Sequence, residues 1–156
     1  TEPIAAYAAS LTGETDAELF ARDGDAVEMR NFSSREGTLS FVADAFSKEA
    51  DTTETASLLF LTEAEAKAAY RLLEKLFDEK GLSKEQLFYI DRNSNYFHTG
   101  LTVTTFYLAK GLEFETVYAV TAKDRTDELT NQARYIMATR AMHRLYICEE
   151  CKGENE

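Results

Sequence analysis

The chain has 156 residues, 44% of them hydrophobic and 12% aromatic, which is enough apolar material for one packed domain and excludes a disordered protein. It has no apolar run near the ~20 residues of a membrane helix and no signal peptide, so no membrane partner is expected. Acidic side chains outnumber basic ones by 28 to 17, and the net charge of −11 argues against a general nucleic-acid-binding protein.

The first half of the chain alternates predicted helices and strands. Apolar residues recur at helical spacing between residues 39 and 46, which predicts a helix. A continuous apolar run at residues 56–61 is typical of a strand that is covered on both faces. The predicted elements are a helix over Ile4–Leu11, a turn at Asp23–Asp25, a strand over Val27–Phe32, a helix through Leu39, Val42, Ala43 and Phe46, and a strand over Ala56–Leu61.

The second half opens with the clearest helix of the chain, which begins at a capping box of Thr62 and Glu65 and ends at Gly81. The elements after it are a strand over Leu87–Ile90, a polar loop over Asp91–Gly100, a strand over Leu101–Thr105, a loop and helical turn over Tyr107–Glu113, a strand over Thr116–Val120, a helix from Thr126 to about Met142 and a strand over Leu145–Cys148. This alternation predicts a three-layer α/β fold, with helices on both faces of a mostly parallel sheet. We expect one domain over residues 1–148 and a polar tail over 149–156.

Several kinds of catalytic site lack their residues in this sequence. No Gly-Lys dipeptide occurs, so the phosphate-binding loop of nucleotide hydrolases is missing, and no G-x-G-x-x-G follows a strand. His98 and His143 have no metal-ligand spacing, and Cys148 and Cys151 have no second cysteine pair, so no metal site is predicted. Two thiols without a wider disulfide framework suit a reduced, cytoplasmic protein.

One segment combines a basic residue, a glycine and a carboxylate at a strand end. Lys110 can meet a phosphate, Gly111 lets the backbone approach a ligand, and Glu113 can accept a hydrogen bond from a sugar hydroxyl. Ligands of α/β sheets bind at strand ends, where this segment is expected. On spacing alone, a glycine-containing turn with solvated charges is the simpler interpretation.

A second segment carries Arg140 within an otherwise apolar predicted helix. Its neighbours Ala138, Thr139 and Ala141 are small, so the guanidinium could project unobstructed toward an anion or a partner. Both segments lie in or beside residues 110–144, which hold six basic and five acidic side chains and are nearly neutral within an acidic chain. Taken alone, the second segment is also explained by a surface arginine or a salt bridge.

Together the two segments resemble motifs V and VI of superfamily 1 helicases of the UvrD/Rep type. The motif V pattern T-x-H-x-A-K-G-L-E-F is matched by Thr105, Ala109, Lys110, Gly111, Leu112, Glu113 and Phe114. The motif VI pattern L-x-Y-V-A-x-T-R-A is matched by Tyr135, Ile136, Ala138, Thr139, Arg140 and Ala141. Tyr107 replaces the motif V histidine, whose role is therefore not transferred. The variants at residues 107–110 and 141–145 are most similar to the HelD or helicase IV-like branch.

Motif IV of this family has two possible registers in the sequence. Asn31–Ser34 resembles its N-Y-R-S pattern but has Ser33 in place of the arginine. The favoured register places Thr1–Ile4 just after motif IV. Because the chain begins with Thr1 rather than Met, we expect an excised fragment that starts after the motif IV arginine.

The resemblance implies the second of two RecA-like domains, with ATP in the cleft between them. Arg140 would be the arginine finger that stabilises charge on the transferred phosphoryl group. Glu113 would bind the ribose, and Lys110 and Gly111 would shape the phosphate side. The missing N-terminal RecA-like domain of the same protein would bind most of the ATP and the Mg²⁺, so the fragment alone is expected to be inactive.

The resemblance also implies a nucleic-acid partner. Thr104, Thr105 and Arg134 would face single-stranded nucleic acid or couple it to the cleft, on DNA that is single-stranded or partly duplex. The implied function is the second motor domain of an ATP-dependent DNA helicase or translocase. Two alternatives stay open: a HelD-like factor that binds RNA polymerase and remodels it with ATP, and a flavodoxin-like domain that binds a small ligand.

Overall fold

The computed structural model describes residues 3, 4, 7, 26–49, 54–93 and 99–151. Residues 3, 4 and 7 are helical, and a single 3₁₀ turn covers Lys84–Gln86. The strands are β1 (Ala26–Phe32), β2 (Thr55–Phe60), β3 (Leu87–Tyr89), β4 (Gly100–Thr105), β5 (Phe114–Ala122) and β6 (Ala141–Glu150). The further α-helices are α1 (Arg35–Glu49), α2 (Glu63–Glu79) and α3 (Glu128–Thr139).

All six strands belong to one sheet, in the order β1-β6-β5-β2-β4-β3, and every pairing is parallel. The prediction of a mostly parallel α/β sheet is confirmed. The order differs from the 2-1-3-4-5 arrangement of flavodoxin-like sheets, so that alternative is wrong. Because the strands all run the same way, their first residues meet at one border, the amino edge, and their last residues meet at the opposite border, the carboxyl edge.

Each face of the sheet packs against its own apolar cluster, so the predicted three-layer arrangement is confirmed. The cluster beneath α1 and α2 includes Leu39, Val42, Phe46, Leu58, Phe60, Leu73, Phe77, Leu101 and Val103. The cluster beneath α3 includes Ile4, Leu59, Phe114, Val117, Ala133, Met137, Leu145 and Ile147. Neighbouring strand residues alternate between the two clusters, which explains why the central strands have continuous apolar runs.

The start and end of α2 agree with the sequence prediction. The backbone N–H of Glu65 donates to Thr62 Oγ1 at 3.2 Å, so Thr62 is the N-cap, and the Glu65 carboxylate accepts from the Thr62 hydroxyl at 3.0 Å and not from the N-cap N–H of a full capping box. Gly81 follows the helix with a φ of 72°, a conformation that glycine adopts without strain. The two signals therefore fix both ends of this helix.

The boundaries of α3 differ from the prediction. Its N-cap is Asp127 rather than Thr126, because the Asp127 carboxylate accepts from the backbone N–H of Thr130 at 3.1 Å. The helix ends at Thr139 rather than near Met142, since the following residues join the sheet. The motif VI arginine is therefore at the end of a helix and not inside one.

The strand after α3 is longer than predicted at both ends. Ala141, the first residue of β6, pairs with Phe114 at the start of β5, and His143 lies in the strand with an exposed side chain. At the other end, Glu149 and Glu150 pair with β1 and β5. The first two residues of the predicted tail thus belong to the sheet.

Several predicted features lie outside the described residues. These are the turn at Asp23–Asp25, most of the helix over Ile4–Leu11, residues 94–98 of the polar loop with His98, and residues 152–156 of the tail. In the alternative motif IV register, Asn31 and Phe32 end β1, and the two serines that follow lead into α1. In the part of the chain that is described, no helix is both long and apolar enough to span a bilayer.

Candidate functional site

The segment between β4 and β5 runs from the carboxyl edge back to the amino edge. Thr105 pairs with Phe60 where β2 and β4 end, and nine residues later Phe114 begins β5. Glu113 therefore immediately precedes a strand instead of following one. This carboxylate thus lies at the amino end of β5, because residues 106–113 cross from the carboxyl edge of the sheet to its amino edge.

The backbone of this segment explains its glycine. Gly111 has a φ of 83°, in the left-handed region where a Cβ causes strain, although no atom lies within 4 Å of the position that a Cβ would occupy. The glycine thus serves the turn and not a close packing contact. Lys110 and Glu113, on either side of it, are exposed, and neither forms an ion pair with any residue that the structure describes.

Arg140 lies beside this segment. It is the C-cap of α3, and its carbonyl accepts a hydrogen bond from the backbone N–H of Phe114 at 2.8 Å. Its guanidinium donates from Nη2 to Thr139 Oγ1 at 3.2 Å, and its buried Nε has no hydrogen-bond partner in the part of the chain that is described. The structure therefore brings Arg140 and Glu113 together at the amino edge. Arg140 accepts this main-chain hydrogen bond, and Glu113 immediately precedes its donor, Phe114.

The charges at the amino edge favour an anion near Arg140. The next arginine along the chain, Arg144, is paired with Glu54 at 3.5 Å. Arg140 and Lys110 have no such carboxylate partner among the described residues. A guanidinium and an ammonium without counter-charges can meet phosphate oxygens, and the exposed carboxylate of Glu113 can accept from a hydroxyl.

The predicted nucleic-acid residues of β4 are not surface groups. Thr104 and Thr105 are fully buried. The Thr104 hydroxyl donates to the carbonyl of Ile90 at 2.8 Å, and Thr105 Oγ1 accepts from the backbone N–H of Leu108 at 3.2 Å. Both side chains are used by the fold at the carboxyl end of β4, which is the edge opposite to Arg140.

Arg134 is also used by the fold. It is 8% exposed, and its Nε donates to Thr121 Oγ1 at 3.2 Å. The two terminal nitrogens donate to the carbonyls of Ala122 and Arg125 and to the side chain of Asn131. These partners hold the connection between β5 and α3. The arrangement suits a structural role for Arg134, not a contact with an external strand.

The carboxyl end of β4 does have exposed polar groups that the sequence analysis missed. Arg92, which follows β3, donates to Glu63 Oε1 at 3.0 Å and also hydrogen-bonds Tyr107. Those hydrogen bonds raise the pKa of the Arg92 guanidinium above its usual value. Tyr107 is partly exposed, and its ring contacts Phe106 edge-on at 5.2 Å between centroids. No short sequence pattern joins Arg92 to Tyr107, since 15 residues and the sheet topology separate them.

A second group that the sequence analysis missed closes the carboxyl edge between β1, β6 and α2. Arg35 forms a bidentate pair with Glu150, with a shortest N–O distance of 2.8 Å, and donates to Glu65 at 2.9 Å. Its guanidinium also lies over the Phe60 ring, 4.8 Å from the centroid. Burial opposes the charged form of Arg35, but the two carboxylates outweigh it and raise its pKa. A cleft of about 250 Å³ opens beside this group, next to Cys151.

The cysteines differ in their surroundings. Cys148 is buried in the sheet, where burial raises the pKa of its thiol to about 12, and Cys151 is exposed. Both thiols are free. Among residues 3, 4, 7, 26–49, 54–93 and 99–151, no three His, Cys, Asp or Glu side chains are grouped so that they could hold a metal ion.

Comparisons with known proteins agree with this architecture. Residues 100–148 match the model of the UvrD-like helicase C-terminal domain. The crystal structure of the C-terminal domain of a possible DNA helicase from Lactobacillus plantarum WCFS1 is similar, with a TM-score of 0.66 and 25% identity over 96% of this chain and 85% of that one. No curated protein matches this sequence.

The matched segment begins at the first residue of β4 and contains both predicted motifs, the crossing segment and the whole of α3. The similar crystal structure covers the remaining strands and helices as well. The six-stranded parallel sheet with helices on both faces is therefore a RecA-like fold. The resemblance drawn from the two motifs is confirmed over residues 100–148, which are similar to the UvrD-like helicase C-terminal domain.

Proposed function

We propose that this chain is the second motor domain of an ATP-dependent DNA helicase or translocase, and that its amino edge completes an ATP site shared with an N-terminal motor domain. One observation carries the proposal. The hydrogen bond from the Phe114 N–H to the Arg140 carbonyl fixes motif VI against the end of motif V. Arg140 and Glu113 thus lie at the same edge of the sheet, which supports their proposed roles as a finger and as a ribose ligand.

The residues at this edge fit a nucleotide. Among the described residues, the Arg140 Nε is buried without a hydrogen-bond partner, and Lys110, in the segment that leads from β4 to this edge, is an exposed ammonium without a carboxylate partner. These groups would hold phosphate oxygens, while Glu113 would accept from the sugar. The binding of Mg²⁺ mainly by the N-terminal domain stays a prediction of the sequence.

In this mechanism the chain contributes positioning and charge. Arg140 would stabilise the negative charge that develops on the transferred phosphoryl group, and Lys110 would lie on the phosphate side of the cleft. Glu113 would orient the nucleotide through its ribose. Closure and opening of the cleft would then move this domain relative to its neighbour along a nucleic-acid strand.

Steady-state ATPase measurements on the full-length protein test the proposed finger. Arg140→Ala is expected to lower kcat by about 10³–10⁵, the range for loss of an arginine finger in related phosphoryl transfer. Arg140→Lys retains the charge but not the planar donor set, and an intermediate rate is expected. This chain by itself is expected to show no ATPase above background. Wild-type rates in full-length Arg140→Ala would contradict the proposal.

We further propose that nucleic acid is contacted at the carboxyl end of β4 through Tyr107 and Arg92 and not through the side chains of Thr104, Thr105 and Arg134. The difference in solvent exposure between the two sets of side chains supports this proposal. The first pair presents an aromatic ring and a guanidinium at the surface, whereas the other three side chains are buried and bonded within the chain. Bases stack on aromatic rings, and guanidinium groups meet phosphates or base faces.

Binding of a fluorescent single-stranded oligonucleotide to the full-length protein tests this contact. Tyr107→Ala is expected to weaken binding by about tenfold, the lower part of the range for loss of one stacked base, and Tyr107→Phe to retain it. Arg92→Ala is expected to reduce the salt dependence of binding by about one phosphate contact. Lys123→Ala, an exposed basic residue at the end of β5, is the matched control. Equal affinities for Tyr107→Ala and the control would contradict this part.

The HelD-like role in remodelling RNA polymerase stays a prediction of the sequence variants at residues 107–110 and 141–145, as does the cytoplasmic location. Pull-down of RNA polymerase by the full-length protein, beside a strand-unwinding assay, separates this role from DNA unwinding. Capture of polymerase without unwinding would favour the HelD-like role. Unwinding without capture would favour the DNA helicase.

A further inference from the structure

Among the described residues, the side chain of Arg140 makes one hydrogen bond, and its acceptor is an unusual neighbour. Successive residues of a helix point in different directions, so residues i and i+1 seldom bond through their side chains. Here Arg140 Nη2 donates to Thr139 Oγ1 at 3.2 Å, because Thr139 is the last residue of α3 and Arg140 is its C-cap.

The Thr139 hydroxyl is itself held in one orientation. It donates its only proton to the carbonyl of Ile136 at 2.8 Å, so it can only accept from the guanidinium. A path of two hydrogen bonds therefore leads from the main chain of α3 to Arg140. The main chain of Arg140 is fixed separately, by the 2.8 Å bond from the Phe114 N–H.

We propose that Thr139 is a positioning residue: its hydroxyl fixes the Arg140 guanidinium in the orientation required at the shared ATP cleft. The proposal rests on the proposed function. Arginine is a long side chain with several rotatable bonds, and a finger that is already oriented loses less freedom when it meets its ligand. Without the hydroxyl, Arg140 keeps its charge and its place in the chain but not its orientation.

Three substitutions at position 139 test the hydroxyl in the full-length protein. Thr139→Val keeps the shape and removes the hydroxyl, Thr139→Ala removes both, and Thr139→Ser keeps the hydroxyl. We expect the first two to lower kcat for ATP hydrolysis by about tenfold, as for a reacting group that is held less firmly, with KM changed by less than about twofold. Thr139→Ser is expected to stay within about twofold of wild type.

A second readout needs no catalysis. In this chain alone, exchange of the Arg140 Nε proton with water can be followed by NMR, with the signal assigned by its loss in Arg140→Lys. The signal is expected to exchange at least several-fold faster in Thr139→Val and Thr139→Ala than in wild type or Thr139→Ser, because the guanidinium moves more freely. Melting temperatures of the same variants show whether the fold itself is changed.

The results separate this inference from the proposed function. If Arg140→Ala collapses the ATPase but Thr139→Val has wild-type kcat and wild-type proton exchange, the positioning role is wrong and the finger stands. If Thr139→Ser is as impaired as Thr139→Val, the hydroxyl is not what matters, and the inference is again overturned. If Arg140→Ala retains full activity, the proposed function itself fails.

Discussion

Two arginines of the same region, six residues apart, have opposite surroundings. Arg134 lies inside α3, and its guanidinium donates hydrogen bonds to Thr121, Asn131 and main-chain carbonyls between β5 and α3. Arg140 lies at the end of that helix and, among the described residues, has one side-chain hydrogen bond and a buried Nε without a partner. Both arginines lie in or beside motif VI, so the sequence alone does not distinguish them. Their hydrogen-bond partners show which arginine is structural and which is available to a ligand.

The same contrast separates the two edges of the sheet. At the carboxyl edge, Arg35 is held by two carboxylates and an aromatic ring. In the segment that crosses to the amino edge, Lys110 and Glu113 are exposed and form no ion pair within the described residues. The charges of the Arg35 group are satisfied internally and hold the domain together, whereas those of Lys110 and Glu113 are available to a nucleotide.

Replacement of Arg134 should have the largest effect on folding. Arg134→Met is expected to destabilise this chain by about 2–4 kcal/mol, because several buried hydrogen bonds to a charged group are lost and the facing carbonyls are left unpaired. Arg140→Met should change stability by less than about 1 kcal/mol. Urea unfolding followed by circular dichroism measures both. Equal losses of unfolding free energy in the two variants would contradict the distinction between a structural Arg134 and an available Arg140.

Replacement of Arg35 tests the carboxyl edge. Arg35→Met keeps the aliphatic stem over Phe60 but leaves Glu150 and Glu65 without their shared cation. We expect a loss of about 1–3 kcal/mol in the same unfolding experiment, less than for Arg134 because Arg35 is partly exposed. Arg30→Met, which disrupts an exposed ion pair with Glu28, is the control and should cost under about 0.5 kcal/mol.

Replacement of Glu113 tests the amino edge. In the full-length protein, Glu113→Gln is expected to raise KM for ATP by about three- to tenfold while kcat changes little, since a hydrogen bond to the ribose acts in binding and not in the chemical step. The stability of this chain should not change, because the side chain is exposed. Glu115→Gln, two residues on, is the matched control. A fall in kcat with unchanged KM would contradict the assigned role.

The smallest effect is expected at Asp127, and it depends on pH. Hydrogen bonds from Thr130 and from Arg125 lower the pKa of this carboxyl to about 2, below its usual value of 3.8. The native state therefore favours the ionised carboxyl, whose stabilisation is complete above about pH 4 and is lost as the pH falls toward 2. Unfolding titrations from pH 6 to pH 2 should show a shallower loss for Asp127→Asn than for wild type. Parallel curves for Asp127→Asn and wild type would show that the charge of Asp127 does not contribute to the stabilising effect of this N-cap.

Local patterns in the sequence were sufficient for much of the fold. The N-cap at Thr62 and the helical spacing around Leu39 are confirmed, because they act within one turn of chain. The sequence predicts an end of α3 that lies too far along the chain, since the residues after Thr139 carry no local pattern that disfavours a helix. Their state is decided by the pairing of Ala141 with Phe114, which is 27 residues away.

The candidate site was predictable only in part. The two motifs indicated Arg140 and Glu113, and the structure brings them to one edge. Burial could not be read from the pattern: Thr104, Thr105 and Arg134, predicted to face nucleic acid or to couple it to the cleft, are buried. The ion pair between Arg35 and Glu150 could not be predicted from the sequence either, because the two residues lie 115 positions apart in the chain.

The bond between the Phe114 N–H and the Arg140 carbonyl also restricts how this protein can vary. Surface connections usually accept insertions and deletions. Residues 106–113 differ, because one added or removed residue would move Glu113 and shift the pairing of β5 with β6 at the same time. This connection is therefore expected to change by substitution at constant length, and an engineered insertion belongs elsewhere on the domain.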